Sequence, residues 1–496
     1  MIANMIKARK KMVTLAVASA IGGGMLASAP AHALNVSQDE VGQVLLFPYY
    51  TVKNGYDTLF SIVNTSNKTV VAKIRWREAL NSREVRDFNI ILSPHDVWNG
   101  AVTATAAGGA LVRTFDKTCT APQLPASAVF TTATEVAFTS IGYDGSDASF
   151  NYDNGGTAIG RTQEGYFEVI QMASSTIVES SIASGNKVEY NSQHVSGVPR
   201  NCTTVAAVFD VGANLVNPPT AGNAFSTFTN PQNVLMASAS LINVANGSAV
   251  DVHPTHLENW LTAGTPTYTA LFAPGDLLPD LTNGDDSGVN TLVATEFRDG
   301  ATIVHGALPP QDAVTALLQA TSVINEYATS GTSVMTDWVV TMPTKHHYVD
   351  SVPGPIPVAA LPPFANPFDA KSCDTYSLTF YNREEKTSTA SAGSFSPAPT
   401  GSTASLCYEA NVLTFNGGYA LGTGVNHVSV DTTAVGTSGW ANLAFVATVA
   451  NTGQPSALSN GLPVIGFAMT SRVATADGTG INKNYGTSRA HGKQHN

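Results

Sequence analysis

The stretch TDWVVTMPTKHHYVD, residues 336–350, sets His346, His347 and Asp350 close to Trp338 and Tyr348. Imidazoles beside a carboxylate are the raw material of a metal site or a general base. The spacing argues otherwise. Trp338 to Met342 is β-branched and aromatic, which suits a strand, and Pro343 breaks or edges it. In an extended chain adjacent histidines point to opposite faces, so one metal ion cannot take both His346 and His347. The pattern predicts a core strand, a proline turn and a histidine-tipped edge. In DVHPTHLENW, residues 251–260, a turn at Pro254 could join His253 and His256 beside Asp251 and Glu258, as zinc would want. Solvated turn residues are the expectation there.

Two acidic loops offer oxygen ligands. YDGSDASFNYDNGG carries Asp144, Asp147 and Asp153, and TNGDDSG carries Asp285 and Asp286. Calcium takes about six to eight oxygens, and clustered Asp and Asn with Gly turns can supply them. Neither loop has EF-hand spacing, and Asx-turns account for the same residues. Structural calcium is therefore the one cofactor the sequence leaves open. Of the usual catalytic signatures, G-x-S-x-G, H-E-x-x-H and the P-loop are absent. Glu164, Glu168, Glu296 and Asp337 are candidates for a glycosidase pair, but sequence position gives no separation between them. Tyr49, Tyr50 and Trp98 are candidates for stacking on sugars, although aromatics in strands are more often core.

The elements that must position these groups lie in an exported chain. Lys7, Arg9, Lys10 and Lys11 precede the apolar run MVTLAVASAIGGGMLASA, and APAHA ends at Ala33. This reads as a signal peptide, residues 1–33, cut before Leu34. Losing those four basic residues from 25, with none of the 36 acids, takes the net charge from −11 to −15. That argues against nucleic acid as a partner, since phosphate binding needs clustered Lys and Arg. No later run is long and apolar enough to span a membrane. Charged residues make up only 12% of the chain, about half the usual share, so polarity comes from Thr, Ser, Asn and Gly. Such residues favour strands and turns. The four cysteines form no CxxC. An even count in an exported chain predicts two disulfides, and the local pairings Cys119–Cys202 and Cys373–Cys407 keep each bridge inside one module.

In TVVAKIRWRE, Val70, Ala72, Ile74 and Trp76 alternate with Val71, Lys73, Arg75 and Arg77. That period marks a half-buried strand with one polar face. Asn246–Gly247 between apolar runs signals a hairpin. Ala313, Val314, Leu317, Leu318 and Ile324 share one helical face behind Pro309 and Pro310, so one packed helix is expected near 310–328. Residues 351–372 are proline-dense and read as an extended connector. The organisation expected is an immunoglobulin-like β-sandwich with long loops over 34–205, a β-rich module with the helix over 206–350, and a β-rich part over 373–496 ending in a loose tail.

SIVNTSNKTVVAKIRW followed by FNIILSPHDVW resembles bacterial immunoglobulin-like domains over about sixty residues. GQVLLFPYYTV, SREVRDFN, EGYFEVIQM, TDWVVTMPTK and the C-terminal NYG are similar to uncharacterised exported, β-rich proteins of Gram-negative bacteria. That resemblance spans nearly the whole mature chain and implies no activity. The sequence thus predicts a mainly β fold of immunoglobulin-like sandwich modules in a non-enzymatic protein of the cell surface or exterior. Its expected role is structural or adhesive, through self-association or contact with matrix or polysaccharide. The alternative is a carbohydrate-binding protein or a polysaccharide-acting enzyme, and periplasmic residence is left open.

Overall fold

The computed structural model describes residues 33–124, 133–262, 269–286, 288–350, 360–390, 395–396, 405–445, 458, 461–474 and 484–495. The expected leader up to His32 and residues 351–359 of the connector lie outside the described residues. The fold is mainly β, as the composition predicts. Four large sheets pair into two sandwiches. The first sheet runs in the order Asn35–Val36, Thr255–Glu258, Val44–Thr51, Glu164–Val178, Lys68–Glu78, Glu84–Leu92, Cys119–Ala121. The second runs Ser248–Val252, Leu235–Asn243, Asp57–Asn64, Val97–Ala104, Ala110–Thr114, Thr134–Ala137. Between them Phe47, Phe60, Trp76, Phe88, Trp98 and Phe167 form an aromatic core. The Asn246–Gly247 hairpin forms as expected, with Asn243 opposite Ser248 and Gly247 at φ 62°.

The first sheet is covered on both faces. On its outer side Val44, Leu46 and Ile170 pack against Ala313, Val314 and Leu317 of the helix Pro310–Leu318. Farther along, Val71, Ile91 and Met172 pack against Val205, Val208 and Phe209 of the helix Cys202–Phe209. The polar face read into TVVAKIRWRE is therefore corrected. Lys73 is 0%, Arg75 1% and Arg77 5% exposed, because alternation reports a shared face and says nothing of what covers it.

The second sandwich pairs a third sheet around Ala410–Phe415, Val334–Thr341 and Ile465–Arg472 with a fourth around Asp374–Asn382, Ser438–Phe445 and Ser322–Ala328. Trp338, Val340 and Leu413 face the fourth sheet, while Val339, Val412 and Phe467 on the opposite side join the core of the first sandwich. The sheet pairing does not follow the expected boundaries. Strands of residues 235–258 complete the first sandwich, and those of 322–341 begin the second. The helix stops at Leu318, and Ser322–Ala328, expected as helix, is a strand paired on both edges, where Val323 and Ile324 fit the pleat. Past residue 359 the connector is packed, with Phe364 and Phe368 in the core.

The tail is likewise corrected. Tyr485–Ala490 pairs with the third sheet and Gly492–Gln494 with the fourth, so the last strands tie both sheets together. Both disulfides form in the expected pairing, across 83 and 34 residues, and no described cysteine is free. Two such bridges fit an oxidising compartment. Among the described residues no helix is long and apolar enough to cross a membrane.

Removing residues 485–496 is expected to lower the thermal midpoint by roughly 5 °C or more, since about 1 kcal/mol moves a domain of 150–250 residues by 2–4 °C. Calorimetry of the truncated chain checks this. An unmoved midpoint would mean that the terminal strands contribute nothing.

Candidate functional site

The buried face of Lys68–Glu78 organises the site. The register sets Arg75 opposite Glu168 on one neighbouring strand and Asp87 on the other. Arg75 donates from Nε to Glu84 Oε2 at 2.7 Å and from Nη1 to the Pro279 carbonyl at 2.7 Å. Arg77 donates from Nε to Glu168 Oε1 at 2.8 Å. Lys73 Nζ donates to the carbonyls of Ala273 and Asp276 and lies 3.1 Å from Asp87. Gly165 lets the chain cross here, since a Cβ would sit 1.9 Å from the Arg77 carbonyl oxygen. Taking these ions out of water costs several kcal/mol each, which only close, hydrogen-bonded partners offset.

The turn after this strand extends the network. Glu78 accepts from the amides of Leu80, Asn81 and Arg83 and pairs with Arg161 at 2.9 Å. Arg161 also grips Asp153 with both terminal nitrogens, at 2.9 and 2.8 Å. Asn81 Nδ2 donates to Asp350 Oδ2 at 2.9 Å. Arg83 Nε lies 2.8 Å from the same oxygen, yet it is not aligned for a hydrogen bond, so that contact is Coulombic.

At this junction a cavity of about 160 Å³ opens between the sandwiches. Its wall carries Arg75, Arg77 and Arg83, with Glu84, Asp280 and Asp350 among them. His346 and His347 also line it, which corrects the histidine-tipped edge. Pro343 does end the strand, but His346–Val349 then forms a helical turn, and the two rings stack with centroids 3.8 Å apart. Around the cavity His346 Nδ1 and Nε2, His347 Nε2, Arg83 Nη2 and Asn81 Oδ1 are buried without a hydrogen-bond partner. Burial, and then the neighbouring His347 and the arginines, holds His346 well below the usual imidazole range, and burial lowers His347. Glu409, whose Oε2 is 4.0 Å from His346 Nδ1, has both oxygens unpartnered, and burial pushes it well above the usual carboxylate range. Each of these shifts favours the uncharged form of its group.

A second cluster bridges the sandwiches. Glu164 Oε2 accepts from Tyr49 Oη at 2.6 Å and lies 2.8 Å from His427 Nε2, while Oε1 takes Lys53. His427 Nδ1 faces the Gly422 carbonyl at 2.9 Å, so each ring nitrogen meets an acceptor. Burial alone would raise Glu164, but His427 and Lys53 outweigh it and bring it down to about 2. Asp337 behaves oppositely. It accepts from the Leu421 amide at 2.8 Å, its other oxygen is unpartnered, and burial pushes it up to about 6.

The other sequence candidates do not assemble. Asp144 and Asp147 accept from the amides of Ser146 and Ser149 in Asx-turns. Asp153 is engaged by Arg161, Asp285 accepts from the amides of residues 288–290, and Asp286 accepts from Thr262. Among the described residues no three His, Cys, Asp or Glu groups come together to hold a metal. His253 is exposed, whereas His256 is 6% exposed, so the two share no site. Glu296 pairs with His305 and Arg298. Tyr49, Tyr50 and Trp98 are buried, so none offers a face for a sugar. Sequence reasoning missed Arg83, Arg161, Asp280, Glu409 and His427. For Arg83 the signal was the unusual density of arginine and glutamate in KIRWREALNSREVRDF within a chain so poor in charge; the other four lie outside that stretch.

Two variants test the electrostatics. Glu164 has its folded pKa lowered, so its stabilisation is full above about pH 4.5 and is lost as pH falls toward 2. Glu164→Gln should cost on the order of 3 kcal/mol at pH 7, with the difference from wild type shrinking below pH 4, read by urea unfolding. Asp337 has its folded pKa raised, so wild type loses stability as pH rises through about 6. Asp337→Asn should therefore gain on wild type between pH 5 and pH 8 in thermal melts.

No protein-family model matches the chain, and neither a curated protein nor a solved structure is found similar to it.

Proposed function

We propose that this is an exported, non-enzymatic binding protein that holds a small polar molecule in the cavity where its sandwiches meet. One observation carries the reading: a cavity walled by charged and imidazole side chains, with buried polar atoms around it that lack partners. Buried polar groups are rarely left unpaired in folded proteins, and pockets at domain junctions are favoured ligand sites. A bound molecule, reached by small rotations of His346, His347 and Arg83, would complete these bonds. The two disulfides support placement outside the cytoplasm.

A structural or adhesive role remains the second reading, favoured by the hairpin Leu292–Arg298 and Ala301–Leu308. It forms a two-stranded sheet of its own, with Phe297 76% and Val304 47% exposed. Leu292–Arg298 bonds to Leu34 on its far edge, whereas Ala301–Leu308 pairs with no further named strand among the described residues, and an edge of that kind invites pairing with another chain. Native mass spectrometry of protein purified from its producing cells separates the two readings. The cavity reading expects a bound small molecule that is lost in His347→Phe, a change that fills the wall. An empty monomer, or self-assembly abolished by Phe297→Asp, would favour the surface role.

A further inference from the structure

The wall of the cavity also selects its occupant. Resting on the binding reading above, we infer that the ligand is a neutral, polyhydroxylated molecule of one ring, such as a single hexose, pentose or cyclitol. The first argument is charge. Arg75, Arg77 and Arg83 are matched by Glu84, Asp280 and Asp350 on the same wall. Each guanidinium is already engaged, Arg75 by Glu84, Arg77 by Glu168 behind the wall, and Arg83 by Asp350. An anion entering here meets three carboxylates and guanidiniums that are already paired, with Arg83 Nη2 alone left to donate, and a cation meets guanidiniums. Either would be desolvated with little compensation.

The second argument is hydrogen-bonding character. The unpartnered groups around the cavity include an acceptor, Asn81 Oδ1, and a donor, Arg83 Nη2, beside the imidazoles, whose burial favours the neutral form that both donates and accepts. Hydroxyl groups, which do both, match such a wall better than a pure acceptor or a pure donor. The third argument is shape. Phe150 and Leu277 supply the apolar part of the lining, against which the C–H face of a sugar ring packs. At about 160 Å³ the cavity is smaller than the roughly 300–1,000 Å³ of ordinary ligand pockets, which favours one ring over a chain.

The test is calorimetric titration of the full chain after exhaustive dialysis. Neutral probes are glucose, galactose, mannose, xylose and myo-inositol; charged probes are glucuronate, galacturonate and glucosamine. The expected result is that at least one neutral probe binds, and that its charged counterpart binds at least tenfold more weakly. Phe150→Ala should weaken that binding at least tenfold while leaving the thermal midpoint of the unliganded protein within a few degrees. If a charged probe binds as tightly as its neutral counterpart, the inference about ligand class is overturned and the cavity reading stands. If inorganic phosphate or an oligosaccharide binds and no single neutral ring does, the result is the same. If no probe binds and the protein from cells carries nothing, the cavity reading falls and this inference with it.

Discussion

Lys73, Arg75 and Arg77 leave their strand on a face that the fold buries completely. A guanidinium in such a place is tolerated only when carboxylates and carbonyls surround it. Neighbouring strands supply Glu84, Asp87 and Glu168, but they do not suffice. Segments far along the chain must close over the face, bringing the carbonyls of Ala273, Asp276 and Pro279 onto Lys73 and Arg75. The turn 343–350 is drawn in by the same network, through Asp350 on Asn81 and Arg83. The docking of the second sandwich on the first is thus tied to satisfying charges that the first sheet cannot satisfy alone.

Apolar packing sets the limits of this charged region. Clusters built on the helices Pro310–Leu318 and Cys202–Phe209 cover the rest of the outer face of the first sheet. The polar network fills the space between them, where Arg75 and Arg77 carry the face. On the other side of the junction the third sheet gives alternate residues to two cores, Val339 to one and Trp338 to the other. Its strands are apolar on both faces for that reason, as expected of strands buried on both sides. A change in either core would be felt at the cavity, since packed interiors transmit small shifts.

Burial acts on the carboxylates of the junction in opposite directions. Glu164 has a lysine, a histidine and a tyrosine on its oxygens and stays ionised. Glu409 has no hydrogen-bond partner on either oxygen and is pushed toward its protonated form, and Asp337 is pushed up to about 6. The protein therefore sets a charge pair across its sandwiches beside groups that burial pushes toward their neutral forms. A cavity edged by such groups is suited to recognising a molecule by hydrogen bonds in a balanced field.

Much of the local structure was legible in the residues. Alternation in TVVAKIRWRE gave the strand, Asn246–Gly247 gave the hairpin, Pro343 gave the end of a strand, and an even cysteine count gave two bridges. These are short-range facts, set by side-chain period, turn conformation and covalent chemistry. What covers each face was decided by tertiary structure alone. Arg75 meets Pro279 across 204 residues, Asn81 meets Asp350 across 269, and Glu164 meets His427 across 263. No period in the sequence encodes such distances. The same holds for His346 and His347, whose spacing forbids a shared metal in a strand but is silent about a helical turn. Local sequence determined which residues could be buried together. Only the closing of remote segments, driven by the cost of unpaired charge in a dry interior, decided which of them became a site.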